Sequence, residues 1–192
     1  MDKLLFCFGD SNTYGYDPRN PLGDRYAQPW PELLGEQLSR PVRNAGRNGQ
    51  CIPVSPWEQQ ALLRSLEAAD PGLLILLLGT NDILQGHSPE AVGQRIRDLL
   101  SLLRQQLPQL PILLLSPPPV RLPELRLCNA MAEAAQLFRS AAEQEKLPFL
   151  DLQGLPLPLA WDGIHLTEEG HRLLAAVLAA FLQKQPEFYS AP

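Results

Sequence analysis

Apolar runs alternate with helical patterns along this chain of 192 residues. The runs LLILLL at residues 73–78 and ILLL at residues 112–115 contain no polar residue. Strands have this composition when helices cover both faces of a sheet, as they do in parallel α/β folds. Pro71-Gly72 before the first run and Gly79 after it limit that run to the length of a strand. The sequence therefore predicts a three-layer α/β fold around a parallel sheet.

The sequence pattern predicts five strands and five helices. The strands are Leu4–Phe8, Val42–Asn44, Leu73–Leu78, Ile112–Leu115 and Phe149–Leu152. The helices are Trp30–Leu38, Pro56–Ala69, Pro89–Gln106, Glu124–Glu145 and Glu168–Lys184. Two proline-rich stretches, residues 116–123 and 155–161, are expected to be ordered loops. We expect residues 1–192 to form one domain, with the last few residues as a tail.

Composition excludes several classes of partner. The net charge of −5 and the lack of a basic run argue against nucleic acid. No stretch approaches the roughly 20 apolar residues of a membrane span, and the first apolar run is too short for a signal peptide. Cys7, Cys51 and Cys128 form no CxxC pair and lack metal-ligand spacing. We expect a soluble cytoplasmic protein without metal or cofactor, and a homo-oligomer is possible.

Polar clusters follow four of the five predicted strands, and ligands collect at the carboxyl ends of such strands. The first cluster is Gly9-Asp10-Ser11-Asn12. It predicts either a common polar turn, in which Gly9 allows a sharp bend, or an exposed nucleophile at Ser11. The motif GxSxG is absent from the chain, which excludes the nucleophile elbow of α/β-hydrolases.

The second and third clusters can supply hydrogen-bond donors. Asn48-Gly49 is above all a turn signal, but a glycine also lets a backbone N–H approach a substrate oxygen closely. Asn81 follows the apolar run at residues 73–78 and can either cap the turn or donate its amide to a developing oxyanion.

The fourth cluster, Asp162-Gly163-Ile164-His165, precedes the last predicted helix. Asp162 and His165 are three residues apart in a turn that contains glycine, so the carboxylate can fold back onto the imidazole. A serine nucleophile needs such an oriented base. His171 has helical spacing with core leucines and His87 has the setting of a surface loop, which leaves His165 as the best base.

Together these blocks resemble the SGNH (GDSL-like) hydrolase family. The matching segments are GDSNT around Ser11, NGQ around Gly49, GTND around Asn81 and DGIH ending in His165. They occur in the family's order. Further segments, CFGDSNTYG, LLGTND, LLSPPPV and DGIHLTEEG, are similar to the small arylesterase and acyltransferase branch.

The resemblance implies a flavodoxin-like fold with a five-stranded parallel sheet. It also implies an oxyanion hole of the Ser11 and Gly49 N–H groups with the Asn81 side chain, and it implies that Asp162 orients His165. Asp10 and Asp82, each beside one of these residues, are expected to bind loop N–H groups. The roles of Tyr14, Tyr16 and Trp30, as pocket or packing residues, stay open.

The predicted activity is hydrolysis of short-chain or aryl esters through an acyl-enzyme on Ser11. A carbohydrate O-acetylesterase on the same scaffold is the first alternative, because it would use the same catalytic residues. The second is a non-catalytic flavodoxin-like protein that binds an anion. The stretch Gly9–Gly15 contains no Lys or Arg for such an anion, which disfavours that alternative.

Overall fold

The protein folds around a five-stranded parallel sheet. The computed structural model describes residues 3–20, 22, 24–185 and 188. The strands are β1 (Leu5–Gly9), β2 (Val42–Gly46), β3 (Leu73–Leu77), β4 (Ile112–Leu115) and β5 (Phe149–Leu150). The predicted tail after residue 188 lies outside the described residues. The observed strand positions agree with the predicted ones to within two residues at each end.

Seven helices connect or flank these strands within the described ranges. They are α1 (Ser11–Tyr14), α2 (Trp30–Leu38), α3 (Pro56–Ala69), α4 (Thr80–Leu84), α5 (Pro89–Gln106), α6 (Leu125–Gln144) and α7 (Glu168–Gln183). The sequence patterns predict the five longer helices but neither α1 nor α4. Both are about one turn long, which is too short to show helical periodicity.

The strand order is β2-β1-β3-β4-β5, and every neighbouring pair is parallel. This is the order of the flavodoxin-like doubly wound sheet, so the predicted fold class is confirmed. The order reverses direction between β1 and β3. In such sheets a crevice opens at this point beyond the carboxyl ends of the strands. Here it lies between α1, which follows β1, and α4, which follows β3.

Two apolar layers hold helices against the two faces of the sheet. Alternate residues of β3 point to opposite sides: Leu74 and Leu76 join the cluster with α3, α5 and α6, whereas Ile75 and Leu77 join the cluster with α2 and α7. All the residues of β3 are fully buried. This accounts for its apolar sequence, and it makes the end of β3 a rigid base for the residues that follow.

Candidate active site

Ser11 begins α1 rather than lying in an irregular turn. Asp10 caps this short helix, and its Oδ1 accepts a hydrogen bond from the Asn12 N–H at 2.9 Å. Gly9 ends β1 and does not have the left-handed backbone that a sharp bend requires. A side chain there would collide with the Thr13 side chain and the Leu77 carbonyl. The predicted reason for Gly9 was therefore wrong, because close packing under α1 is what requires a glycine.

Ser11, His165 and Asp162 form a continuous hydrogen-bonded row. The Ser11 Oγ lies 2.9 Å from His165 Nε2, and His165 Nδ1 lies 2.6 Å from Asp162 Oδ2. The other carboxylate oxygen, Oδ1, accepts hydrogen bonds from the N–H groups of Ile164 and His165. The carboxylate thus folds back onto its own turn, as the spacing of Asp162 and His165 suggested.

The electrostatics of this row favour a charged Asp162. Partial burial alone would raise the pKa of Asp162, because it removes water from the carboxylate. Hydrogen bonds from the His165 ring and from the two backbone N–H groups outweigh that effect and lower the pKa below its ordinary value. An ionised Asp162 can hold the imidazole in the tautomer that has a free Nε2 lone pair facing Ser11.

Asp10 is in a different electrostatic environment. It is completely buried, and the loss of water raises the pKa of its carboxyl to about 6. Its contact is with the N–H of Asn12 in α1, so Asp10 caps a helix and does not bind a loop N–H as the sequence suggested.

The family resemblance predicts three hydrogen-bond donors for an oxyanion beside Ser11. They are the backbone N–H groups of Ser11 and Gly49 and the side chain of Asn81, and all three residues line one open cleft of about 490 Å³. Within the described part of the chain, neither N–H donates to another protein group. Gly49 has a positive φ of 74°, and a Cβ added there would meet no other group, so the backbone conformation rather than crowding calls for glycine.

Contacts from α4 hold the loop that carries Gly49. The Asn81 amide donates to the Gln50 carbonyl at 3.1 Å, and the buried Asp82 accepts from the Ile52 N–H at 3.1 Å. Asp82 also pairs with Arg95 of α5, at 2.7 Å. The structure thus gives Asp82 the contact to a loop N–H that the sequence suggested. Nothing in the sequence indicated Arg95, because its partner is in another segment.

The remaining lining of the cleft comprises His165, Tyr16, Leu22 and Asn48. The Tyr16 ring packs on the His165 imidazole, with 4.8 Å between ring centres and a tilt of 57°. Trp30 is fully buried in the core, and Tyr14 does not line the cleft. Of the three aromatic residues left open above, only Tyr16 contacts the cleft.

The other two histidines lie away from the cleft. His171 is fully buried, and its Nδ1 accepts from the Trp30 N–H at 3.3 Å. His87 is partly buried, and its Nδ1 lies 3.3 Å from Arg95 Nη2. Among the described residues, no group of three or more His, Cys, Asp or Glu side chains is arranged to hold a metal ion, and no helix there is long and apolar enough to cross a bilayer.

Comparison with known proteins gives consistent results. The model of the GDSL-like lipase/acylhydrolase family matches residues 7–173. A GDSL lipase of Mycobacterium tuberculosis is 26% identical over 190 residues, which covers 92% of this chain and 80% of the relative. The structure of the aryl esterase of M. smegmatis has a TM-score of 0.80 at 25% identity, over 95% of this chain and 99% of that one.

A carbohydrate acetylesterase family member from Sinorhizobium meliloti shares the fold. Its TM-score is 0.79 at 24% identity, over 95% of this chain and 98% of that one. The family match covers most of the chain, including all four sequence blocks that carried the resemblance. The chain belongs to the GDSL-like lipase/acylhydrolase family and is a hydrolase of the esterase and acylhydrolase class.

Proposed function

We propose that this protein is a serine esterase that hydrolyses short-chain or aryl carboxylic esters through an acyl-enzyme on Ser11. The observation that carries the proposal is the row Ser11–His165–Asp162, with its contacts of 2.9 and 2.6 Å. A serine hydroxyl is a weak nucleophile until a neighbouring base removes its proton, and the position of His165 beside Ser11 supports that role for it.

In the proposed reaction Ser11 Oγ attacks the ester carbonyl while His165 Nε2 takes the hydroxyl proton. Asp162 holds the ring and stabilises the imidazolium that forms. The carbonyl oxygen gains negative charge and is stabilised by the N–H groups of Ser11 and Gly49 and by the Asn81 amide. His165 then gives its proton to the leaving alkoxide, so the alcohol departs and the acyl group stays on Ser11.

Water completes the cycle by the same route. His165 takes a proton from a water molecule, which attacks the acyl-enzyme carbonyl. The same three donors stabilise the second oxyanion. Its collapse breaks the bond to Ser11 Oγ, which recovers a proton from His165 as the carboxylic acid leaves.

The nucleophile is tested with a fluorophosphonate, which phosphonylates activated serines, followed by peptide mass spectrometry. The probe should label Ser11 and abolish hydrolysis of 4-nitrophenyl acetate, and Ser11→Ala should neither react nor turn over. Labelling that persists in Ser11→Ala would disprove the assignment. Labelling that never occurs in the folded wild-type protein would favour the non-catalytic anion-binding alternative.

The identity of the base is tested by replacing each of the three histidines in turn. His165→Ala should lose nearly all turnover, because no other imidazole is within reach of Ser11. His87→Ala and His171→Asn should keep most of it at pH 8 while folded, because both rings lie outside the cleft. A loss in His87→Ala as large as that in His165→Ala would refute the choice of base.

A carbohydrate O-acetylesterase is the second candidate, and the polar lining of the cleft supports it. Asn48 joins Ser11, Asn81 and His165 in a wide opening that can admit a bulky, hydroxylated alcohol. Acetylated xylose and 4-nitrophenyl acetate carry the same acyl group and differ in the alcohol. A higher kcat/KM on the acetylated sugar would favour this candidate over the arylesterase.

A further inference from the structure

Asn12 joins the nucleophile segment to the segment of the proposed base. It follows Ser11 directly in α1 and is almost fully buried. Its Nδ2 donates to the Ile164 carbonyl at 3.3 Å, and its Oδ1 accepts from the Leu166 N–H at 2.9 Å. Ile164 and Leu166 are the two sequence neighbours of His165. The Asn12 amide therefore binds the backbone on both sides of the proposed base.

The two partners determine which way the Asn12 amide faces. A carbonyl can only accept a hydrogen bond and a backbone N–H can only donate one, so Nδ2 must face Ile164 and Oδ1 must face Leu166. The backbone of Asn12 is held as well, because its N–H donates to the buried Asp10 carboxylate. The side chain thus makes its two contacts from a well-fixed position.

Most other hydrogen bonds of the His165 loop, residues 158–167, determine its shape, and one, from Arg121 N–H to the Gly163 carbonyl at 2.8 Å, joins it to the segment after β4. Asp162 accepts from the Ile164 and His165 N–H groups, and the His165 carbonyl accepts from Ala160 N–H at 2.7 Å. None of these bonds reaches α1. Asn12 binds across to it from α1, over 154 positions in the sequence to Leu166.

We propose that Asn12 is a positioning residue, which sets the separation of Ser11 Oγ and His165 Nε2 by binding the backbone on both sides of His165. The proposal rests on the proposed roles of Ser11 and His165. Two hydrogen bonds to one loop fix both its orientation and its distance from α1, whereas a single bond leaves the loop free to rotate. Proton transfer from Ser11 depends on both, because it requires alignment of the hydroxyl with the imidazole lone pair.

The proposal is tested with two substitutions of similar shape. Asn12→Leu removes both hydrogen bonds, whereas Asn12→Asp keeps an acceptor for Leu166 N–H and loses the donor to Ile164. We expect kcat on 4-nitrophenyl acetate to fall by about 10²-fold in Asn12→Leu, which is the typical cost of a misplacement of about 1 Å. KM should change by less than about twofold, because Asn12 does not line the cleft. Asn12→Asp should lie between Asn12→Leu and the wild type.

Ser116→Ala is the matched control. Ser116 is also fully buried and also joins distant segments, because its Oγ accepts from Leu152 N–H at 2.8 Å and bonds Asp151 Oδ1 at 3.2 Å. It lies outside the cleft. Ser116→Ala should lower the melting temperature and keep the wild-type kcat, as any merely structural residue would.

A second measurement, without substrate, is the NMR signal of the His165 Nδ1 proton, which its bond to Asp162 shifts far downfield. Asn12→Leu should shift or broaden this signal, and Ser116→Ala should leave it unchanged. A folded Asn12→Leu protein with wild-type kcat and an unshifted signal would overturn the proposal. If Asn12→Leu does not fold, the same two readouts on Asn12→Asp decide. If the wild type hydrolyses no ester, the proposed function fails, and the NMR signal alone decides the role of Asn12.

Discussion

The side-chain amide of Asn81 donates a hydrogen bond to the main-chain carbonyl of Gln50 at 3.1 Å. Asn81 lies on α4, after β3, and Gln50 lies in the loop after β2, one residue beyond Gly49. A carboxamide nitrogen carries two protons, so the second N–H remains available to the cleft, which Asn81 also lines. This one contact thus joins the Asn81 side chain to the loop that carries Gly49, which brings together two of the three proposed oxyanion donors.

We expect Asn81→Ala to lower kcat by about 10²–10³-fold with little change in KM. The reason is that a donor to the oxyanion acts only on charge that appears in the transition state. Asn81→Asp should be slower still, because it places a carboxylate where negative charge develops. Steady-state kinetics on 4-nitrophenyl acetate measure both values.

Gln59→Ala is the control for this prediction, since Gln59 also donates a side-chain amide to a carbonyl of the β2–α3 loop, that of Pro53, at 3.4 Å. It should retain the wild-type kcat. Near-normal kcat in a folded Asn81→Ala protein would remove Asn81 from the mechanism.

The ion pair of Asp82 with Arg95 should contribute strongly to stability. The Asp82 side chain is completely buried, whereas Arg95 is one-quarter exposed. Arg95→Met would leave the buried carboxylate without its charged partner, a change that typically costs about 3–5 kcal/mol. Urea denaturation should show this loss in the free energy of unfolding, and kcat should fall because Asp82 also holds Ile52 beside the Gly49 loop.

Arg139→Met provides the comparison. Arg139 pairs with Asp151 at the same distance of 2.7 Å, but both side chains are partly exposed, so the loss should stay below about 1 kcal/mol. Equal losses in Arg95→Met and Arg139→Met would show that the buried position of Asp82 has no special importance.

His171 should make the protein less stable in mild acid. Burial, with a smaller effect of His165, lowers the pKa of His171 to about 3. In the unfolded chain a histidine takes up its proton near pH 6.5. Protons therefore favour the unfolded state, and the free energy of unfolding falls as the pH drops from about 6.5 towards 3.

The variant His171→Asn isolates this effect, because Asn Oδ1 can replace Nδ1 as acceptor for the Trp30 N–H and does not titrate. Between pH 7.5 and 5 the wild type should lose about 2 kcal/mol more unfolding free energy than the variant does. Urea denaturation at both pH values measures the difference. Parallel losses in the two proteins would show that His171 does not titrate as its burial implies.

Short acyl chains should be the better substrates. The described lining of the cleft contains only Tyr16 and Leu22 as large apolar side chains. Each buried methylene contributes about 0.8 kcal/mol only where an apolar wall receives it. We expect kcat/KM for 4-nitrophenyl esters to be highest between acetyl and butyryl and to fall for longer chains. A maximum at palmitoyl esters would contradict the arylesterase proposal.

The sequence by itself determined the fold class and most of the element positions. Strands such as β3 and β4 lie between two helix layers, so every residue in them is apolar, and this leaves a local pattern that a single sequence reveals. The turn of Asp162 and His165 was equally local, because three residues separate the carboxylate from the ring that it holds.

Only the tertiary structure decided which residues meet across the cleft. The strand order places the segment after β1 beside those after β2 and β3, and this arrangement has no local signature in the sequence. Asn12 looked like any turn asparagine, because its partners lie more than 150 positions away. The sequence likewise does not distinguish Trp30, which is buried in the core, from Tyr16, which lines the cleft. Both environments depend on segments that come together from both ends of the chain. Local patterns report the environment of each residue, whereas the pairing of distant residues follows from how the layers pack.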